Sequence, residues 1–145
     1  MKNLDKNEKS EVGSRDYRKR CGNLGEDIAV EYLLANGYRI IFRNFRYGKQ
    51  GEIDIIAEFG DILIFIEVKT RSSGNFGKAV EQISRRKLLL WRQAAEGYMY
   101  INRIVGRECR LDLIAIDFAS NPHSSDINSN DTQKNYTITH IENVF

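Results

Sequence analysis

Two adjacent apolar runs constrain this chain more than any other feature. They lie between Gly51 and Arg71, in the stretch GEIDIIAEFGDILIFIEVKTR. Side chains alternate along a strand, so Leu63, Phe65, Glu67 and Lys69 share one face of the second run, while Ile62, Ile64, Ile66 and Val68 share the other. Both faces are apolar, which requires a strand covered on two sides. The two runs read as a hairpin joined near Phe59-Gly60-Asp61. Asp54, Glu67 and Lys69 then place charge where burial costs free energy unless a counter-ion or a metal pairs with it.

The rest of the chain supplies what such a hairpin needs. At 145 residues, with 41% hydrophobic and 29% charged side chains, it has the size and composition of one globular domain with a buried core. The expected domain spans residues 21–145 and includes a polar Asn-, Ser- and Asp-rich loop at 119–135. Residues 1–20 carry no sustained periodicity and read as a disordered or fraying basic arm. From Gly22, Leu24, Ile28, Tyr32 and Ala35 form an amphipathic helical stripe, with Asn23 suited to cap its start and Gly37 its end. Glu26 would then sit in the first turn, where the helix dipole favours an acid. A first strand is expected over Tyr38–Arg46, a second helix over Ala79–Ile101, a fourth strand over Glu108–Phe118 and a short edge strand at Tyr136–Ile141. Three consecutive strands imply a meander, and the second helix permits a crossover. The fold class is therefore a mixed α/β sandwich with one helix on each face.

No apolar run approaches the ~20 residues of a membrane span. The N-terminus, with Asp5, Glu8 and Glu11 among its lysines, lacks the apolar core of a signal peptide. Cys21 and Cys109 have no metal-ligand spacing and read as free thiols of a reducing compartment. A cytoplasmic protein with no membrane segment is the expectation. His123 and His140 stand alone in sequence and receive no role.

Charge is distributed in blocks although the net charge is only +2. Residues 39–49 hold Arg39, Arg43, Arg46 and Lys49 without an acid. Residues 50–68 hold five acids without a base, and residues 69–92 hold seven bases against Glu81 alone. An acidic centre between basic flanks suits a site that grips phosphates and holds a cation. Arg43, Arg46 and Lys49 before the centre, and Thr70, Arg71, Lys78 and Lys87 after it, are the candidates for contact with a nucleic-acid backbone. Lys87 interrupts the apolar stripe of the second helix, where a lysine either snorkels to water or reaches the edge of the sheet. If the hairpin is paired, Asp54 converges with Glu67 and Lys69. Two carboxylates with few other ligands fit Mg²⁺ or Mn²⁺, which would leave a lysine free to orient water or stabilise developing charge. The alternative is a structural salt bridge between Glu67 and Lys69.

The D…E-x-K arrangement on adjacent strands, after a helix bearing Glu26, resembles the PD-(D/E)xK nuclease superfamily. More closely, the chain resembles the small bacterial YraN-like family. The matching blocks are Gly22-x-x-Gly25-Glu26-x-x-Ala29, Arg43-Asn44-Phe45-Arg46, Gly51-Glu52-Ile53-Asp54, Glu67-Val68-Lys69-Thr70-Arg71 and Arg110-Leu111-Asp112-Leu113. Phe76-Gly77, Lys87 and the terminal Ile141–Phe145 extend the likeness. It implies an αβββαβ restriction-endonuclease-like core, Asp54 and Glu67 as metal ligands, Lys69 as the catalytic lysine, and Glu26 as an added helix acid. It also implies a Mg²⁺-dependent DNA endonuclease, selective for branched or structured DNA, for which a homodimer is one expected form. Ile53 departs from the pattern, standing where the superfamily name places proline. The competing expectation is a nucleic-acid-binding or partner-docking module that keeps this fold without turnover.

Overall fold

The computed structural model describes residues 7–49, 51–72, 83–119 and 135–144. Helix α1 spans Asn7–Ala35 and leads into strands β1 (Arg39–Tyr47), β2 (Gly51–Phe59) and β3 (Ile62–Ser72). Helix α2 (Arg85–Ile101) then connects to β4 (Cys109–Phe118), and β5 (Tyr136–Ile141) closes the order. The strands form one sheet in the order β1-β2-β3-β4-β5. The β1–β2, β2–β3 and β4–β5 pairs are antiparallel, whereas β3 and β4 run parallel over Leu63↔Cys109 to Ser72↔Phe118. That parallel pair requires a crossover, and α2 provides it. Lys78, with the rest of the expected basic loop at 73–78 and the first residues of the expected second helix, lies outside the described residues. So does nearly all of the expected polar loop at 119–135.

Alternation along β3 divides the core as the apolar pattern demands. Ile64 and Ile66 join Ile55, Ala57, Ile114 and Ile116 beneath Ile28, Ala29 and Leu33 of α1. Leu63 and Phe65 join Ile53, Ile56 and Leu111 beneath Trp91, Ala94, Ala95 and Tyr98 of α2. One helix thus covers each face of a mixed five-stranded sheet. The expected apolar stripe of α2 runs through Leu90, Ala94, Tyr98 and Ile101; Ala94 and Tyr98 are buried as expected, joined by Trp91 and Ala95, while Ile101 is exposed. The bulkiest side chain sets the helix rotation, and Ile101 is the last residue of the helix. Among the described residues no helix is long and apolar enough to cross a membrane.

The start of α1 differs most from expectation. Helix α1 runs from Asn7, so Asn23 is an interior residue rather than a cap. Lysine, arginine and glutamate are good helix formers, so continuation upstream needs no apolar periodicity. The C-terminal end is as expected. Gly37 adopts φ +84, and the amides of Gly37 and Tyr38 return to the carbonyls of Leu34 and Leu33. This is a Schellman closure, with Tyr38 and Leu33 meeting in the core.

Candidate functional site

The hairpin opens at one end, and the opening collects the charged residues. The β2–β3 ladder runs from Phe59↔Ile62 to Ile55↔Ile66 and stops there. Asp54 and Glu67 are the next residue on each strand, facing one another where the strands part. β2 also rotates at this point. Ile53 packs with the α2 cluster and Ile55 with the α1 cluster, although they are two residues apart. On the other side of β2, Asn44 falls between the Arg43↔Ile55 and Phe45↔Ile53 pairs and adopts φ 55. Asp54 Oδ2 accepts the backbone N–H of Val68 at 2.7 Å, tying the separated strands together.

Glu67 is 3% exposed and follows Phe65 on the face covered by α2. Lys69 Nζ donates to Glu67 Oε1 at 2.7 Å, and Lys87 Nζ approaches the same oxygen at 3.1 Å. Lys87 belongs to the first turn of α2, whose start is fixed by Ser84: its hydroxyl accepts the Lys87 backbone N–H at 3.2 Å. Both lysines remain half-exposed, so their charge faces the mouth of the site as well as the carboxylate. Glu67 Oε2 is buried and has no hydrogen-bond partner. An unpaired carboxylate oxygen at that depth is costly. The salt bridge expected as the alternative for Glu67 and Lys69 is therefore present, but it satisfies only one oxygen.

Asp54 shows the same tension. Burial first, and then the negative charge of Glu67, raise its pKa from 3.8 to about 7. The Val68 amide opposes this, Glu26 adds to it, and Lys69 opposes it. A carboxyl that resists ionisation beside a second buried carboxylate makes a pocket that takes a cation or a proton.

Glu26 approaches from the other side of the sheet. Its place depends on Gly25: a Cβ there would overlap Thr70 Cγ2, so only glycine lets α1 lie this close to β3. Glu26 Oε2 accepts from Asn44 Nδ2 at 3.1 Å and lies 3.5 Å from the Arg43 guanidinium, which also pairs with Asp27 at 2.8 Å. Glu26 is deep within a helix that starts at Asn7, so the dipole of that helix end does not account for it. Among the described residues, no group of three or more His, Cys, Asp and Glu side chains is placed to hold a metal ion. The compact acid set is Asp54 with Glu67, and Glu26 is held apart by Asn44 and Arg43.

The remaining candidates are dispersed. Arg46 pairs across the strands with Glu52 at 3.3 Å, and both are well exposed. Lys49 lies exposed in the β1–β2 turn, and Arg71 is half-buried near the end of β3. Thr70 points its methyl at α1 and lies on the opposite face of β3 from Glu67 and Lys69.

Sequence reasoning missed two groups. Asn44 orients Glu26, and only its positive φ marks it. On the α1 face, Asp112 is fully buried. His140 Nε2 lies 2.9 Å from its Oδ2, Arg110 Nε lies 3.0 Å from Oδ1, and the Asn143 amide donates to Oδ1 at 3.0 Å. An acid inside a strand that is apolar on both faces was the signal that singled out Asp54, and it applied equally to Asp112.

Fold and site together define a class: a two-helix α/β protein whose mixed sheet carries an acid pair beneath two lysines at the open end of a central hairpin. The profile of the family described as "Uncharacterised protein family UPF0102" matches residues 25–116, which contain all of these residues. The chain belongs to that family, the YraN-like family of the sequence resemblance. It is 39% identical over 129 residues to a UPF0102 protein of Alkaliphilus oremlandii, covering 88% of this chain and 98% of the relative. It is 44% identical over 99 residues to one from Moorella thermoacetica, covering 68% and 82%. It is 39% identical over 130 residues to one from Brachyspira hyodysenteriae, covering 88% and 97%.

Proposed function

We propose that this protein is a metal-dependent endonuclease that hydrolyses phosphodiester bonds of DNA, with branched or otherwise structured DNA as its substrate class. The reading places it in the PD-(D/E)xK superfamily. The observation that carries it is the buried Glu67 carboxylate. Two lysines occupy one of its oxygens, the other oxygen is unpaired, and an aspartate that resists ionisation faces it.

The donor set suits Mg²⁺ or Mn²⁺. Such ions take hard oxygen ligands, and Mg²⁺ commonly uses one or two carboxylates and completes its shell with water and phosphate. Asp54 and Glu67 would hold the ion, and Glu26 would support it from α1. When bound, the ion supplies Lewis-acid polarisation of a phosphoryl oxygen and a more acidic water. The side chains do the rest. Lys69, held on Glu67 at 2.7 Å and half-exposed, reaches the mouth, where it orients the attacking water and offsets charge developing on the phosphoryl oxygens. As the new P–O bond forms, the bond to the leaving sugar oxygen breaks, and that oxygen takes up a proton. Lys87 adds a second positive charge at the same mouth.

A binding or docking module without turnover is the second reading. It is favoured by the pairing of Glu67 with both lysines, which neutralises the carboxylate without a metal. Incubation of pure protein with branched, single-stranded and duplex DNA, with Mg²⁺ or Mn²⁺, separates the two. The nuclease reading expects cleavage that Asp54→Ala and Glu67→Ala abolish. Cleavage that survives both substitutions belongs to a contaminant and removes the proposal. Metal-independent binding with no cleavage of any substrate establishes the module instead.

A further inference from the structure

Two buried polar atoms in the layer between α2 and the sheet have no hydrogen-bond partner among the described residues: Glu67 Oε2 and Trp91 Nε1. The first belongs to the acid pair. The second lies in the apolar cluster beneath α2, on a side chain that is 1% exposed. Trp91 is the single tryptophan of the chain. Either atom left unpaired at such depth costs free energy, because burial removed the water it bonded when the chain was unfolded. A phenylalanine would fill an apolar slot without that cost, so the indole N–H at this position calls for a reason of its own.

The fold brings the two groups to one place. α2 crosses from the end of β3 to the start of β4, so its first turn lies over the open end of the hairpin, where Lys87 Nζ is 3.1 Å from Glu67 Oε1. Trp91 follows Lys87 by four residues, one turn along the same stripe of the helix. Long helical side chains lean toward the helix N-terminus, which carries the indole back over the turn that holds Lys87. On the sheet, Phe65 belongs to the cluster that packs Trp91, and Glu67 is the next residue on the same face of β3. Both orphan atoms therefore lie between the first turns of α2 and the Phe65–Glu67 segment of β3.

Their chemistry says what joins them. An indole nitrogen only donates and an ionised carboxylate only accepts, and no direct bond links the two. A cation satisfies Oε2 and leaves the N–H unpaired, and an anion does the reverse. A group that accepts on one side and donates on the other satisfies both, and water is the smallest such group. We infer that Trp91 is a positioning residue for Glu67: its Nε1–H donates to a buried water, which in turn donates to Glu67 Oε2. Lys69 and Lys87 already hold Oε1. With the second oxygen held as well, the rotation of the carboxylate is fixed. The relay stands on the two orphan atoms alone, whereas its consequence for a metal rests on the proposed nuclease reading. In that reading Trp91 steadies the carboxylate oxygen that takes the ion, and removing the donor weakens the hold on it.

A ¹H–¹⁵N correlation spectrum of the protein in chelator tests the relay, since a chain with a single tryptophan gives a single indole Nε1–H peak. That proton is expected to show cross-relaxation with a long-lived bound water, and its peak to move by more than its line width in Glu67→Gln. Glu96→Gln, which alters an exposed carboxylate of α2, is expected to leave the peak in place. An indole proton without a water contact, or a peak that Glu67→Gln moves no further than Glu96→Gln does, overturns the relay. Calorimetric titration with Mn²⁺ then compares wild type, Trp91→Phe, and the protein carrying benzothienylalanine at position 91, in which sulfur replaces the N–H at nearly unchanged ring shape. Both replacements are expected to weaken Mn²⁺ binding by about 10- to 100-fold. A benzothienyl protein that binds Mn²⁺ as wild type does overturns the positioning role. Wild type that binds no Mn²⁺ overturns the proposed metal site, while the relay still stands or falls on the spectrum in chelator.

Discussion

Asp54→Asn tests the electrostatics of the site without requiring a substrate. In the folded protein the Asp54 pKa stands at about 7 against 3.8 for an unperturbed aspartate, raised chiefly by burial and by Glu67. The folded state therefore holds this proton more tightly than the unfolded chain does. The stabilisation from the protonated form is fully present below about pH 3.8 and is lost as pH rises through about 7. Each pKa unit is worth about 1.4 kcal/mol, so between about pH 5 and about pH 8 the wild type should lose about 2–3 kcal/mol from this group. Asparagine cannot ionise, and its carbonyl oxygen can still accept the Val68 N–H that Asp54 accepts at 2.7 Å. The variant should thus gain about 2–3 kcal/mol relative to wild type across that window, about 1.6 kcal/mol more between about pH 3.8 and about pH 5, and little below about pH 3.8. Urea unfolding of both proteins in chelator, read at closely spaced pH values, measures the difference directly. With Mg²⁺ above its dissociation constant the order should narrow or reverse, because ligand binding stabilises only the protein that retains the site. A stability difference that stays constant across the window would refute the reasoning, since it would trace to packing rather than to ionisation.

Two further substitutions probe how the site is held in place. Gly25→Ala should destabilise by about 1–3 kcal/mol despite alanine's better helix propensity, because the new Cβ overlaps Thr70 Cγ2. Adding Thr70→Ser removes that methyl and should restore stability in a double-mutant cycle; a single Gly25→Ala variant more stable than wild type contradicts the close approach. Asp112→Ala should cost about 3 kcal/mol or more in thermal unfolding, since it strands the partners Arg110 and His140. Loss of less than about 1 kcal/mol would show that β5 and the C-terminal residues are not anchored through this carboxylate.

Much of this organisation is determined by the sequence alone. Ile62–Val68 can be buried on both faces only if a helix lies on each side, and α1 and α2 do so. The order of strands and helices follows from local patterns of period two and period 3.6, and Gly37 ends α1 because it tolerates φ +84. Asp54, Glu67 and Lys69 stand out for a local reason as well, since charge within an apolar strand must be compensated. The tertiary structure decided what compensates it. Asp54 and Glu67 meet because the β2–β3 ladder ends one residue before them, and a ladder's end depends on twist and on neighbouring strands rather than on either strand's sequence. Lys87 reaches Glu67 from far along the chain because a crossover helix returns over the same face. His140 finds Asp112, and Asn44 finds Glu26, through pairings that no spacing rule encodes. The length of α1 was hidden for the opposite reason. Its outer part carries no apolar periodicity to read, and only the continuous backbone reveals it. Hydrophobic burial writes a period into the sequence, whereas charge pairing and polar helix leave none.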